Sequence, residues 1–276
     1  MQSLKNFVPQ KFNKLTTEKK IAAMRKLASE IFKELGLKPI PILISDIESE
    51  KTIGGVFVKN PPPYICINSF FFDDDKIKEV FSDSLAVNSF VPYYFVNVIS
   101  HECYHYYQYC LINRLANGES LSNAEKKEAY LSFISLYEKV FYVFCEQKGI
   151  LPESNLTREE IYNFSPAELN ATEYAKTITK RFQTVDPCLD NLIEYSNIMA
   201  LTDPNLYSKD SSVDVIRHCL NVALSFLSYK NSISGSKEKY LGIDEEELKE
   251  TIEEIIKEKE NSLLGMNKLL SKLSRK

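Results

Sequence analysis

His101, Glu102 and His105 fall within one pentapeptide, His101-Glu102-Cys103-Tyr104-His105. Residues four apart on a helix share a face, one turn up. Two imidazoles placed that way can meet one zinc ion, each at about 2.0–2.1 Å. Glu102 is rotated about 100° from His101. That rotation sets a carboxylate beside the ion, where it can take a proton from a water the ion has acidified. The chain has only three histidines, and its own His and Glu frequencies give about 0.003 chance matches to this pattern. A pair of unrelated histidines on a helix is the bland alternative, and that expectation weighs against it.

The segment around the motif reads as a helix opening at Pro92, a residue suited to the first helical turn, and stopping at Asn117-Gly118. Phe95, Val96, Val98, Ile99 and Ile112 make it apolar enough to be buried. Upstream, Ile21, Met24, Leu27, Ile31 and Leu35 recur at helical spacing after a Thr16-Thr17-Glu18 start, and Gly36 ends that run. Three β-like runs follow: Pro39–Ser45, Ile53–Val58 and Tyr64–Phe72. They are rich in β-branched and aromatic residues and separated by Gly and Pro, which predicts a small sheet. Asp73-Asp74-Asp75 then reads as the cap of a separate helix to about Phe90. Beyond the motif the pattern is helical: Ser122–Lys148, Ser165–Gln183, and stretches near 189–201, 211–230 and 244–272. A helix, a small sheet and then helices is α+β order rather than alternating βαβ.

Composition bounds the function. The chain has 276 residues, 44% hydrophobic and 26% charged, which are ordinary values for a globular protein with a sizeable core. Thirty-four Lys and Arg stand against 38 Asp and Glu, a net charge of −4. That balance carries no electrostatic footprint for nucleic acid. No apolar stretch is long enough to predict a membrane span, and the N-terminus lacks the apolar core of a signal peptide. The six cysteines are scattered, apolar-flanked and without a C-x-x-C pair. They read as reduced core residues, and a cytoplasmic location is the expectation.

The motif and its setting resemble the zincin metallopeptidases, over roughly residues 40–180. The resemblance implies a zincin-like α+β fold: a small mixed sheet with an edge strand, then the H-E-x-x-H helix, then a mostly helical C-terminal half. It implies that an edge strand bordering the cleft pairs with an extended substrate, as any sheet edge can through unpaired N–H and C=O groups. Tyr64, Ile65, Cys66, Ile67 and Asn68 are the expected substrate-binding residues. Read on its residues alone, that run is equally an ordinary core strand.

A catalytic zinc keeps three protein ligands and one open position. The extended form of the motif would need Gly at 108 and His at 111, where this chain has Gln108 and Leu111. The resemblance therefore narrows to gluzincins, whose third ligand is a carboxylate on a later helix. Pro166-Ala167-Glu168, followed by Ala171 and Ala175, is similar to a P-x-E-x-x-A-x-x-x-A segment that follows H-E-x-x-H-x-x-Q in several families of small bacterial gluzincin-like proteins. Gln108 matches the Gln of that pattern. Glu168 is the expected third ligand, and Ala171 and Ala175 on its face would admit a closely packed neighbour. A carboxylate there also favours the helix dipole without any metal. Glu173, about 140° around the helix, and Asp186 are the alternatives.

The expected function is then a zinc-dependent metallopeptidase acting on a peptide or protein. His101, His105 and Glu168 are its ligands, Glu102 its general base, and Zn2+ its cofactor. Residues 1–186 are expected to form the zincin-like domain and 187–276 a helical region packed on it. The alternative is a non-proteolytic zinc-binding regulatory or interaction protein that retains the fold. The oxyanion-stabilising group stays open among Tyr104, Tyr106, Tyr107, Tyr174 and His218.

Overall fold

The computed structural model describes residues 1–47, 54–73, 84–148, 156–183, 209–234 and 242–273. The helical stretch expected near 189–201, Asp186 and the Asp74-Asp75 part of the expected cap lie outside these residues.

A short helix α1 (Pro9–Phe12) precedes α2 (Thr17–Glu34). Leu27, Ala28 and Ile31 of α2 are fully buried, as their spacing requires. The helix ends as its sequence suggests. Gly36 takes φ +70°, and the Leu37 N–H returns to the Phe32 carbonyl at 2.7 Å, a Schellman closure.

Three strands follow, β1 (Ile42–Ser45), β2 (Gly55–Val58) and β3 (Tyr64–Asn68). They form a mixed sheet in the order β1-β3-β2. β3 runs parallel to β1, with Ile42 opposite Ile65, and antiparallel to β2, with Phe57 opposite Ile65. Two expectations are corrected here. Tyr64–Asn68 is the central strand, with neighbours on both sides, so its backbone is not available to a substrate. The physical reason lies in burial: Ile65, Cys66, Ile67 and Asn68 are buried in succession, whereas β1 and β2 are only partly covered. A strand covered on both faces belongs at the centre. The strand also stops at Asn68, not Phe72. The Asn68 side chain accepts from the Phe70 N–H at 3.1 Å, and Ser69–Phe72 turns into a 3-10 helix.

The motif lies on α3 (Ser84–Ala116), a single helix of 33 residues with Pro92 in its interior. The expected break at Pro92 is absent. Val91 is 7% exposed, Phe95 1% and Val96 0%, so burial of this stretch outweighs the lost N–H of one proline. Then come α4 (Asn123–Lys148), α5 (Arg158–Phe164), α6 (Pro166–Gln183), α7 (Lys209–Ser234) and α8 (Glu245–Leu273). Helix α5 was not anticipated, although Thr157 and Glu160 form a complete capping box at its start.

The chain divides into two compact units: Met1–Tyr107 with Asn170–Thr202, and Gln108–Leu169 with Asp203–Lys276. In the first, α1, α2, the sheet and α3 bury Phe12, Met24, Leu27, Phe32, Ile65, Ile67, Phe95 and Ile99. Glu34 of α2 accepts from Arg181 of α6 at 2.7 Å and 2.8 Å. In the second, α4, α7 and α8 share a core built on Tyr130, Phe133, Ile134, Ile216, Cys219, Ala223, Leu248 and Ile252. Helices α3 and α6 are continuous and contribute residues to both units. Among the described residues no helix is long and apolar enough to cross a membrane. None of the five described cysteines is in a disulfide, and four of them are buried.

Candidate metal centre

His101 and His105 stand one turn apart on α3. Their Nε2 atoms face each other at 2.9 Å, and the rings meet edge to face with centroids 4.5 Å apart. One ligand atom from each of His101, His105 and Glu168 lies within 4.8 Å of the others. This donor set is the only such cluster of three among the described residues.

Glu168 is held by the anchoring of the first turn of α6. That turn carries unpaired backbone N–H groups, which every helix must satisfy. The Ala167 N–H donates to the Ser135 hydroxyl of α4 at 3.2 Å. The Ala167 carbonyl accepts from the Gln108 side-chain amide at 3.0 Å, and the same amide donates to Glu128 at 2.8 Å. Gln108 stands three residues after His105 on α3. It therefore ties the histidine helix to the residue beside Glu168, which gives the H-E-x-x-H-x-x-Q pattern a physical meaning. Farther along α6, Ala171 and Ala175 are fully buried, and Tyr174 stacks on Tyr104 of α3 at 4.9 Å.

Glu102 is 7% exposed, and its Oε2 accepts the backbone N–H of Phe57 at 2.7 Å. The pairing in the sheet explains why that N–H is available. The Asn68 N–H donates to the Gly54 carbonyl at 2.9 Å, so in an antiparallel ladder the bonded pairs alternate from there. Gly55 and Phe57 then turn their backbone groups away from β3. The close approach of β2 to α3 depends on glycine. A Cβ on Gly54 would stand 2.5 Å from the Tyr94 hydroxyl and 2.6 Å from Val98. On Gly55 it would meet Val98, Ile67 and the Cys66 carbonyl at 3.0 Å.

The Glu102 charge is felt by its neighbours. Burial, reinforced by Glu102, pushes the Tyr94 hydroxyl up to about 12. The same two causes, burial first, hold the Cys103 thiol well above its ordinary value.

The donors could hold a metal ion. Two imidazoles and one carboxylate are the protein ligands of some catalytic zinc sites, with a fourth position left for water or substrate. Two nitrogens each about 2.0–2.1 Å from a tetrahedral ion stand about 3.4 Å apart, about half an ångström more than the 2.9 Å found here. His101, His105 and Glu168 are thus brought together, with Glu102 beside His101 on α3. Glu173 is not part of the group: it is exposed and paired with Lys176 at 2.7 Å. His218 is not part of the group either; its Nε2 is 3.8 Å from Glu138.

Sequence reasoning missed three contributors. Phe57 acts through its backbone, so its side-chain type carries no signal. Ser135 caps a helix distant in sequence. Lys139 donates to Glu168 Oε1 at 2.7 Å. Its signal was present in the sequence: Glu138-Lys139 is a charged pair inside the apolar run Phe133–Phe144.

Comparison with known proteins gives no match: no protein-family model fits the sequence, and neither a curated protein nor a solved structure matches it.

Proposed function

We propose that this chain is a zinc-dependent hydrolase of peptide bonds, built in the manner of the gluzincins. The carrying observation is the convergence of His101, His105 and Glu168 to within 4.8 Å, with Glu102 on the same helix as the two histidines. His101 and His105 bind as neutral imidazoles and Glu168 as a carboxylate. Bound zinc supplies a Lewis acid and brings the pKa of a water toward 7. Glu102 takes the proton of the attacking water and returns it to the leaving amine. The Phe57 N–H orients Glu102 for this by fixing Oε2. A purely structural metal site has no use for such a base.

β2, rather than β3, is the strand that lies beside the base, since Glu102 accepts the Phe57 N–H. β2 is an outer strand of the sheet, and an extended polypeptide is the substrate class that a sheet edge recognises. Tyr94 carries a hydroxyl that feels the Glu102 charge.

The test is zinc stoichiometry by elemental analysis on wild type, His101→Ala and Glu168→Ala, followed by hydrolysis of a broad peptide library. About one zinc per chain in wild type, lost or weakened in both variants, with peptide cleavage by wild type, is the expected result. Wild type that takes up no zinc overturns the metal site. A zinc-loaded wild type that cleaves nothing overturns the hydrolase and leaves the regulatory, zinc-binding alternative.

A further inference from the structure

We propose that Lys139 and the metal ion compete for Glu168, so that the α4 helix carries a built-in cation that weakens metal binding and is released by it. This inference rests on the metal site proposed above. Lys139 Nζ lies 2.7 Å from Glu168 Oε1. Glu168 is 7% exposed, and a carboxylate so buried needs a positive partner. The ammonium meets that need. A dication on the same carboxylate meets it too, and then two positive charges crowd one anion. The two imidazoles are neutral when they ligate and offset none of that repulsion.

The side chains are unequal in freedom, and this decides which one moves. The Lys139 side chain is 45% exposed against 9% for Glu168. Glu168 is fixed by the anchored first turn of α6. Lys139 has water and a second partner to retire to, since its ammonium already lies 5.1 Å from the Tyr162 ring. Tyr162 is itself 53% exposed, so the ammonium keeps a favourable cation–π contact while leaving the carboxylate. Glu138, the neighbouring acid, is buried and faces His218, which leaves Glu168 as the carboxylate Lys139 serves.

The experiment uses the full chain and Zn2+ in two measurements. In a chelator-competition titration, Lys139→Met is expected to bind Zn2+ about tenfold more tightly than wild type, at the lower end of what residues contacting metal ligands are worth. Lys139→Arg, which keeps the charge, is expected to stay at wild-type affinity. Equal or weaker binding by Lys139→Met overturns the proposal. The second measurement needs no variant. Wild type is exposed to limiting acetic anhydride with and without Zn2+, and each lysine is quantified by mass spectrometry. Zn2+ is expected to raise acetylation of Lys139 severalfold and leave Lys176, paired with Glu173, unchanged. Unaltered Lys139 reactivity overturns the proposal even if Lys139→Met does not fold. The two readings separate cleanly. Wild type that binds no Zn2+ removes the metal site and this inference together. Zn2+ binding with an indifferent Lys139 removes this inference alone.

Discussion

Glu102 can be replaced by a residue of nearly the same shape that lacks its charge. Gln is that residue, and its amide oxygen can still accept the Phe57 N–H. Glu102→Gln should therefore keep the histidines in place, retain zinc at the wild-type stoichiometry, and lose about 10²–10⁴-fold in peptide hydrolysis, the usual worth of a positioned acid–base group. Parallel loss of zinc would assign Glu102 to the ligand set and remove its role as base. The same carboxylate protects a neighbour from reaction. Cys103 is fully buried, and burial and the Glu102 charge both disfavour its thiolate. Alkylation requires the thiolate. Native protein at neutral pH should leave Cys103 unmodified by iodoacetamide, and urea should expose it, as peptide mapping would show. At this scale the sequence was most informative about His101, His105 and Glu102, because side-chain type and spacing carry the chemistry. Phe57 shows the converse: a backbone group leaves no trace in residue type.

Among the elements, β2 shows how a strand is positioned by what it lacks. Gly54 and Gly55 let it lie against α3, and only from there does the Phe57 N–H reach Glu102. Gly54→Ala forces a methyl into the space of Tyr94 and Val98. Overpacking of this kind costs about 1–3 kcal/mol, so urea unfolding should show a lower midpoint, and hydrolysis should fall as the Phe57–Glu102 bond lengthens. A midpoint equal to wild type would mean that Tyr94 yields without cost. The two glycines were visible in Ile53–Val58, but their purpose was not, because it depends on a helix forty residues away.

The apolar run Tyr64–Asn68 was legible as a strand, and its place in the sheet was not. A continuous apolar run means cover on both faces, which fits a central strand better than an edge, and that inference was available from the residues. Helix α4 offers an acid-sensitive element. Glu125 accepts from the Ser122 backbone and hydroxyl and pairs with Arg114 at 2.8 Å. The Ser122 backbone first, then Arg114, lowers its carboxyl to about 2. A carboxyl depressed in the folded state adds stability that is fully present above its ordinary value and is lost as the pH falls toward 2. Because the group is largely solvated, Glu125→Gln should cost only about 0.5–1 kcal/mol at pH 7. The gap to wild type should close between about pH 5 and pH 2 in thermal melts. A constant gap over that range would deny Glu125 its role as an ionised cap.

On the scale of the whole chain, the sequence announced α+β order, and the structure agrees in a small mixed sheet within a mostly helical protein. It did not show that the chain divides into two compact units of two stretches each, since α3 and α6 read as ordinary helices and nothing local marks a boundary within them. The sequence separation of the donors has an energetic consequence. His101 and His105 come from α3 and Glu168 from α6, 63 positions after His105. An unfolded chain does not hold these donors together, so a metal that binds the three of them binds the native state preferentially. Binding of that kind stabilises by RT ln(1 + [L]/Kd), about 2.7 kcal/mol at a hundredfold excess over Kd. Zn2+ should raise the melting temperature of wild type in proportion to the logarithm of its free concentration. EDTA should reverse the rise. His101→Ala and Glu168→Ala should melt at a temperature nearly independent of Zn2+, whereas Glu102→Gln should respond as wild type does. A Zn2+ response that survives both ligand substitutions would place the ion on other groups, because only a shared site couples α3 and α6 to the same ligand concentration.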